Sequence, residues 1–233
     1  MQRQAGTART SSSGNPITAS VAVPAGVGAL VVLLKIDSGT NRAGGALTWG
    51  PYTLAAHPSN PQKAVTTPEV GVEMHWLLNP APGTQTLTIP NTGALTIKYT
   101  IERAIPAGGG TCALGGTSGS NNTSTNPTPG NIAINEPQEL AFAIVAGGHT
   151  TWSVTGQAGT AIANTDDGAH GGGEQYALNP AIASAFALNW NNGTSEDWGA
   201  LVASFREVPA NAVNNFAGVR AEGDLSCVAR VRA

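Results

Sequence analysis

PITASVAVPAGVGALVVLLKID, residues 16–37, holds two kinds of β-strand side by side. In the first half Ile17, Ala19, Val21 and Val23 recur at every second position. An extended chain puts these four on one face and leaves Thr18, Ser20 and Ala22 on the other. Pro24, Ala25 and Gly26 then turn the chain. In the second half Val31, Val32, Leu33 and Leu34 follow without a break, the pattern of a central strand covered on both faces. One-sided and two-sided strands in succession imply sheets packed on sheets.

The pattern continues outward. In VGVEMHWLLN (70–79), Val72, Met74 and Trp76 share a face, with Glu73, His75 and Leu77 opposite. Residues 79–83, NPAPG, make a turn, and ALTIKYTIERA (94–104) alternates Leu95, Ile97, Tyr99 and Ile101 against Thr96, Lys98, Thr100 and Glu102. QELAFAIVAGG (138–148) is a second central-type strand, followed by TWSVTG, SAFALNWN and DWGALVASFREVP. Residues 106–130, rich in Gly, Ser, Thr and Asn, carry no apolar period and are expected to form a long exposed loop or a linker between halves. About a dozen strands and no helix are expected. The fold class that follows is all-β, a two-sheet antiparallel β-sandwich of jelly-roll or Greek-key type over residues 16–209. Residues 1–15 and 210–233 are expected to be short arms. Two separate domains are the alternative.

Only 11% of the 233 residues are charged, against about 25% in ordinary globular proteins. Weak self-repulsion suits a surface that packs against copies of itself. The net charge of −3 excludes attraction to nucleic acid by overall charge. The distribution is uneven: residues 16–209 sum to −6, the first fifteen to +2 through Arg3 and Arg9, and residues 210–233 to +1. Slightly basic arms on an acidic body are expected to lie on an acidic neighbour, with Arg3, Arg9, Arg220 and Arg230 as contacts. LSCVARVRA at the C-terminus alternates Leu225, Cys227, Ala229 and Val231. It reads as a strand that adds to a neighbour's sheet edge, with Leu225 and Val231 among the contacts. No stretch shows a secretory leader or is long enough to span a bilayer. Cys112 and Cys227 are expected as free thiols, with a single bridge between them as the alternative.

VPAGVGALVVLLKID (23–37), ALTWGPYTL (46–54) and VEMHWLLNPAPGTQTLTI (72–89), in that order, resemble a jelly-roll-like β-sandwich domain of phage virion proteins and bacterial surface proteins. QELAFAIVAGG and WGALVASFREVP resemble that domain's second-half strands. The resemblance covers roughly residues 16–209 and rests on core and turn positions. It implies a sandwich fold, a decoration, fibre or tail role, or an adhesive or sugar-binding one, and no catalytic residues.

The densest polar cluster, NTDDGAHGGGE (164–174), offers Asp166, Asp167 and Glu174 as oxygen ligands for Ca²⁺ on a Gly-rich loop, although its spacing matches no calcium motif. A solvated hairpin tip explains the same residues. His57, His75 and His149 lie apart and read as surface or edge histidines. No nucleophile elbow is present, and Glu73, Glu196 and Asp197 fit a carboxylate pair by residue type only. An enzyme is not expected, nor any cofactor beyond that Ca²⁺. Trp49, Trp76 and Trp198 fall at core positions, whereas Trp152 and Trp190 are candidates for an exposed sugar-stacking surface. The expected function is that of a phage virion structural protein, made in the host cytoplasm and located on the virion. Its expected partners are copies of itself and other virion proteins, with neither nucleic acid nor membrane. The alternative is a carbohydrate-binding or adhesive module that takes a surface glycan.

Overall fold

The computed structural model describes residues 1–6, 10–37, 45–64, 70–93, 95–148, 152–155, 160–165, 171–178 and 180–210. Arg9, Asp166, Asp167, His149, His170 and everything past Ala210 lie outside them. The described strands of the first half are β1 (Gln2–Ala5), β2 (Thr10–Ser12), β3 (Ile17–Val23), β4 (Ala29–Asp37), β5 (Thr48–Trp49) and β6 (Tyr52–Thr53). They continue with β7 (Ala55–Ala56), β8 (Gln62–Lys63), β9 (Val70–Leu78), β10 (Gly83–Ile89) and β11 (Thr96–Ile105). The second half adds β12 (Thr111–Ser124), β13 (Ile132–Ile134), β14 (Leu140–Gly147), β15 (Ser153–Thr155) and β16 (Thr160–Thr165). It ends with β17 (Gly171–Leu178), β18 (Ala183–Phe186), β19 (Asn189–Asn191) and β20 (Glu196–Val208). No α-helix occurs among the described residues.

The all-β antiparallel sandwich is present, and it is doubled. Four layers stack. The first is the sheet β3-β10-β5-β6; the second is β1-β11-β4-β9-β7, with β2 also on β11 and β8 on β9. The third is β12-β20-β14-β17-β16, and two ribbons, β13-β18 and β15-β19, form the fourth. Residues before Ile105 build the first pair of layers and residues after Thr111 build the second, so each half of the chain makes its own sandwich.

Side-chain parity explains the stacking. Along β4, Leu30, Val32, Leu34 and Ile36 enter the core beneath the first layer, while Ala29, Val31 and Leu33 enter the core shared with the third. Along β14, Leu140, Phe142, Ile144 and Ala146 meet that same central core, and Ala141, Ala143 and Val145 turn to the fourth layer. The two continuous apolar runs are therefore the two inner sheets. The one-sided strand β3 is an outer one, and so is its neighbour β10. A ladder of rings crosses the central core: Trp76 lies 5.9 Å from Phe205 at 79°, and Phe205 lies 6.1 Å from Phe142 at 63°. Edge-to-face contacts of this kind add about 0.5–1.5 kcal/mol each beyond area burial.

Two expectations are corrected. Residues 106–130 are not a long loop: they contain β12, fourteen residues paired along β20. Nor are residues 1–15 an arm. β1 and β2 both pair with β11, and Arg3 is turned inward, donating two 2.8 Å bonds to the Glu102 carboxylate. The guanidinium also sits 4.5 Å from the centre of the Tyr176 ring on β17. Arg3 thus holds the first strand to both halves of its own chain.

Candidate assembly interface

β12 is the edge of the third layer, and among the described residues no strand pairs with its outer side. Its sequence, TCALGGTSGSNNTS, has no charge and no proline. It is fixed at its foot by Asn79, a left-handed residue at φ 49° whose side-chain amide mimics a strand partner. Asn79 Nδ2 donates to the Cys112 carbonyl at 2.9 Å, and Cys112 N–H donates to Asn79 Oδ1 at 2.7 Å. The register with β20 shifts between Leu114 and Thr117, then runs unbroken from Thr117 opposite Ala203 to Ser124 opposite Glu196. Both faces are occupied. Asn121 Nδ2 donates to the Lys63 carbonyl at 3.0 Å, and Trp198 Nε1 donates to Ser124 Oγ at 2.9 Å. Thr123 Oγ1 donates to Asp197. Gly119 has no room for a side chain, since a Cβ there falls 2.7 Å from Ser59 Cβ and from a methyl of Leu201. Beyond Cys112, whose amide and carbonyl Asn79 takes, no strand among the described residues pairs with the outer row of β12.

Among the described residues several other edges are short or guarded, and β16, at the far side of the third layer, is a shorter uncharged edge of six residues. β6, β7 and β8 have two residues each. The β3 edge is covered by Arg103, which donates to the Ala22 carbonyl at 2.5 Å and to the Ala5 carbonyl at 3.2 Å. Natural sheets blunt their edges with short strands and with charges. β12 is neither short nor charged, and its one bulge lies between Leu114 and Thr117, near its start.

A cavity of about 810 Å³ opens at the foot of β12, lined among others by Gly108, Glu136, Gln138, Arg206 and Glu207. Glu207 accepts from the amides of Ala107 at 2.9 Å and Gly108 at 2.8 Å. Buried Glu139 accepts from Asn135 at 2.8 Å and Glu136 at 3.2 Å. Glu207, in the cavity's wall, and Glu139, next to it in sequence, each hold a turn.

The sugar-stacking expectation is corrected. Trp152 is 1% exposed and Trp190 0%, both in the core between the third and fourth layers, because the β15-β19 ribbon folds its apolar side onto β14 and β20. Trp49, Trp76 and Trp198 are core residues as expected. Glu174 is not at a solvated tip. It is fully buried in β17, opposite Ile144 of the central core. No group of three or more His, Cys, Asp or Glu side chains able to hold a metal gathers among the described residues. Of the partner contacts, Arg9, Arg220, Leu225, Arg230 and Val231 lie outside the described residues, and so does Cys227. Cys112 is a buried free thiol whose pKa burial pushes up to about 12.

His57 and His75, read as surface residues, are both buried. His75 Nε2 lies 2.8 Å from Glu73 Oε2, a polar contact on that side of β9. His57 Nε2 donates to the Val202 carbonyl of β20 at 3.0 Å, and its Nδ1 accepts from Ser59 N–H at 3.1 Å. The ring is fully used as the neutral tautomer, since a proton on Nδ1 would face another donor. Burial pulls the His57 pKa below 6.5, the Val202 bond opposes this, and His75 adds to it. A His with a lowered folded pKa binds fewer protons folded than unfolded. Stability is therefore expected to be level above pH 6.5 and to fall as pH drops below it through the folded pKa. Urea midpoints between pH 8 and pH 5 check this, with His57→Asn as the reference of shallower slope. An equal slope in the variant contradicts it.

No family model, curated protein or solved structure matches this chain.

Proposed function

We propose that this chain is a non-catalytic structural subunit that works by self-association, as a capsid decoration, head-fibre or tail-surface component of a phage virion. The observation that carries the reading is the fourteen-residue edge of β12, uncharged, proline-free and unpaired among the described residues. Such an edge, regular from Thr117 to Ser124 and contacted on both faces, is a template for main-chain pairing with another chain. The low charge of the sequence supports the same reading, because copies approach with little repulsion. The virion setting rests on the sequence resemblance alone. The sugar-binding alternative is weakened by the burial of Trp152 and Trp190.

Light scattering and negative-stain imaging of the purified chain test the reading. Regular oligomers are expected, and Ser118→Lys with Ser120→Lys should dissociate them at least tenfold more readily while leaving the thermal midpoint within a few degrees. A chain that stays monomeric at every concentration, or oligomers indifferent to both lysines, count against it.

A further inference from the structure

The occupant of the β12 edge can be named from where the described chain stops and from charge. Val208, at the end of β20, pairs with Thr111, at the start of β12, so the chain leaves the body at the foot of this edge. Twenty-three residues follow Ala210, and they include LSCVARVRA. We propose that Leu225–Val231 of one copy adds to β12 of a neighbouring copy as a sixth strand of the third layer, parallel to β12, with Leu225 opposite Thr117 and Val231 opposite Thr123. This rests on the self-association reading above and names its partner segment.

Three features fix the register and direction. The straight part of β12 runs from Thr117 to Ser124, eight residues past the bulge, and the alternating donor has seven. The ends of that run differ in charge. Glu196 and Asp197 stand beside Ser124 and Thr123, and the donor is basic at its own end through Arg230 and Arg232 but acidic before its start through Glu222 and Asp224. A parallel strand sets the arginines at the end of the run that carries Glu196. An antiparallel one sets Glu222 and Asp224 there, and like charges on neighbouring strands destabilise. Side-chain parity agrees. With Leu225 opposite Thr117, Arg230 and Arg232 fall on the face of Asn122 and Ser124, the face that Glu196 shares through its pairing with Ser124. Leu225, Cys227, Ala229 and Val231 then follow Thr117, Gly119, Asn121 and Thr123 on the face of the central core. Parallel pairing is slightly weaker per residue than antiparallel, and the charges decide the direction here.

Disulfide trapping between separate chains tests the pairing. One chain carries Ser118→Cys and the other, of different mass, carries Ser226→Cys, with Cys227→Ser in both. Cys112 is buried, with its pKa pushed up to about 12, so it stays out of the exchange. A mixed-mass dimer cross-linked at 118 and 226 is expected, with at least tenfold less product when the first chain carries Thr123→Cys instead. Residues 1–210 alone should keep the buried-tryptophan emission of the full chain and remain monomeric. If oligomers form equally well without residues 211–233, or if 118 and 226 join only when placed in one chain, the proposal is overturned while self-association stands. A full-length chain that never associates overturns both.

Discussion

Phe205→Ala is expected to lower stability by about 3–5 kcal/mol, the usual cost of emptying a large buried ring site. Phe205 is 0% exposed and touches Trp76 from the first half of the chain and Phe142 from the second. Its removal opens a cavity where the two sandwiches join, and the rings on either side sit on rigid inner strands that collapse poorly into it. Against a total stability of about 5–15 kcal/mol this is a large fraction, equivalent to a fall of about 10 °C in Tm for a chain of this size. The outer cores, beneath the first layer and beneath the fourth, are untouched by the change. Calorimetry of the variant should therefore show the single transition broadening or splitting as the halves uncouple. Phe205→Leu, which keeps most of the volume, should cost less than half as much. A Tm within 2 °C of the parent for Phe205→Ala would remove the central core from its place as the bond between halves.

Arg3→Ala is expected to cost about 3 kcal/mol at pH 7, because it leaves the Glu102 carboxylate buried without its counter-charge. Glu102 is 2% exposed and bonded to Arg3, whose guanidinium lies over the Tyr176 ring. Burial already pushes the Glu102 carboxyl above its ordinary value, with the hydrogen bonds and charge of Arg3 opposing. Burial also pulls the Arg3 guanidinium down, but the bonds and charge of Glu102 together with Tyr176 hold it above its ordinary value. Without Arg3 the carboxyl moves further up, so the folded variant binds a proton more readily than the unfolded chain does. A raised folded pKa gives stability that is present below the unfolded pKa and lost as pH rises through the folded one. The gap between parent and variant should thus narrow from pH 8 to pH 5, read from denaturant midpoints. Replacing both residues by Met should recover much of the loss. An arm residue would behave differently, changing assembly and leaving the midpoint alone.

These two variants also mark where the sequence was legible. The inner strands β4 and β14 were readable because a strand covered on both faces has no polar positions to hide. The number of layers was not, since Val31 and Leu33 announce burial without naming what covers them. β12 went unread for the opposite reason. Its neighbours approach so closely, as Ser59 does over Gly119, that only small side chains fit, and small polar residues carry no hydrophobic period. Arg3 looked like a tail charge because its partner Glu102 lies 99 residues away. Glu73 and His75 occupy the alternate positions of β9 and read as a solvent face, but each supplies the other's polar contact inside the fold. Trp190 sits in a three-residue strand and Trp152 just before another, where alternation is too brief to show a face.

β20, the last described strand, lies in the middle of its sheet, between β12 and β14. A ribosome making this chain therefore completes the first sandwich early. Roughly a hundred residues then follow, about 5–20 seconds of synthesis at 5–20 residues per second. During that interval Val31, Leu33, Met74 and Trp76 present a bare apolar face, β14 can pair only with β17, and β12 emerges with no strand to join it. The keystone, β20, arrives only after β12–β19 have been made. Nascent chains stalled before residue 196 should accordingly be the strongest clients of trigger-type chaperones, and early termination there should leave a sticky half-molecule in place of a soluble fragment.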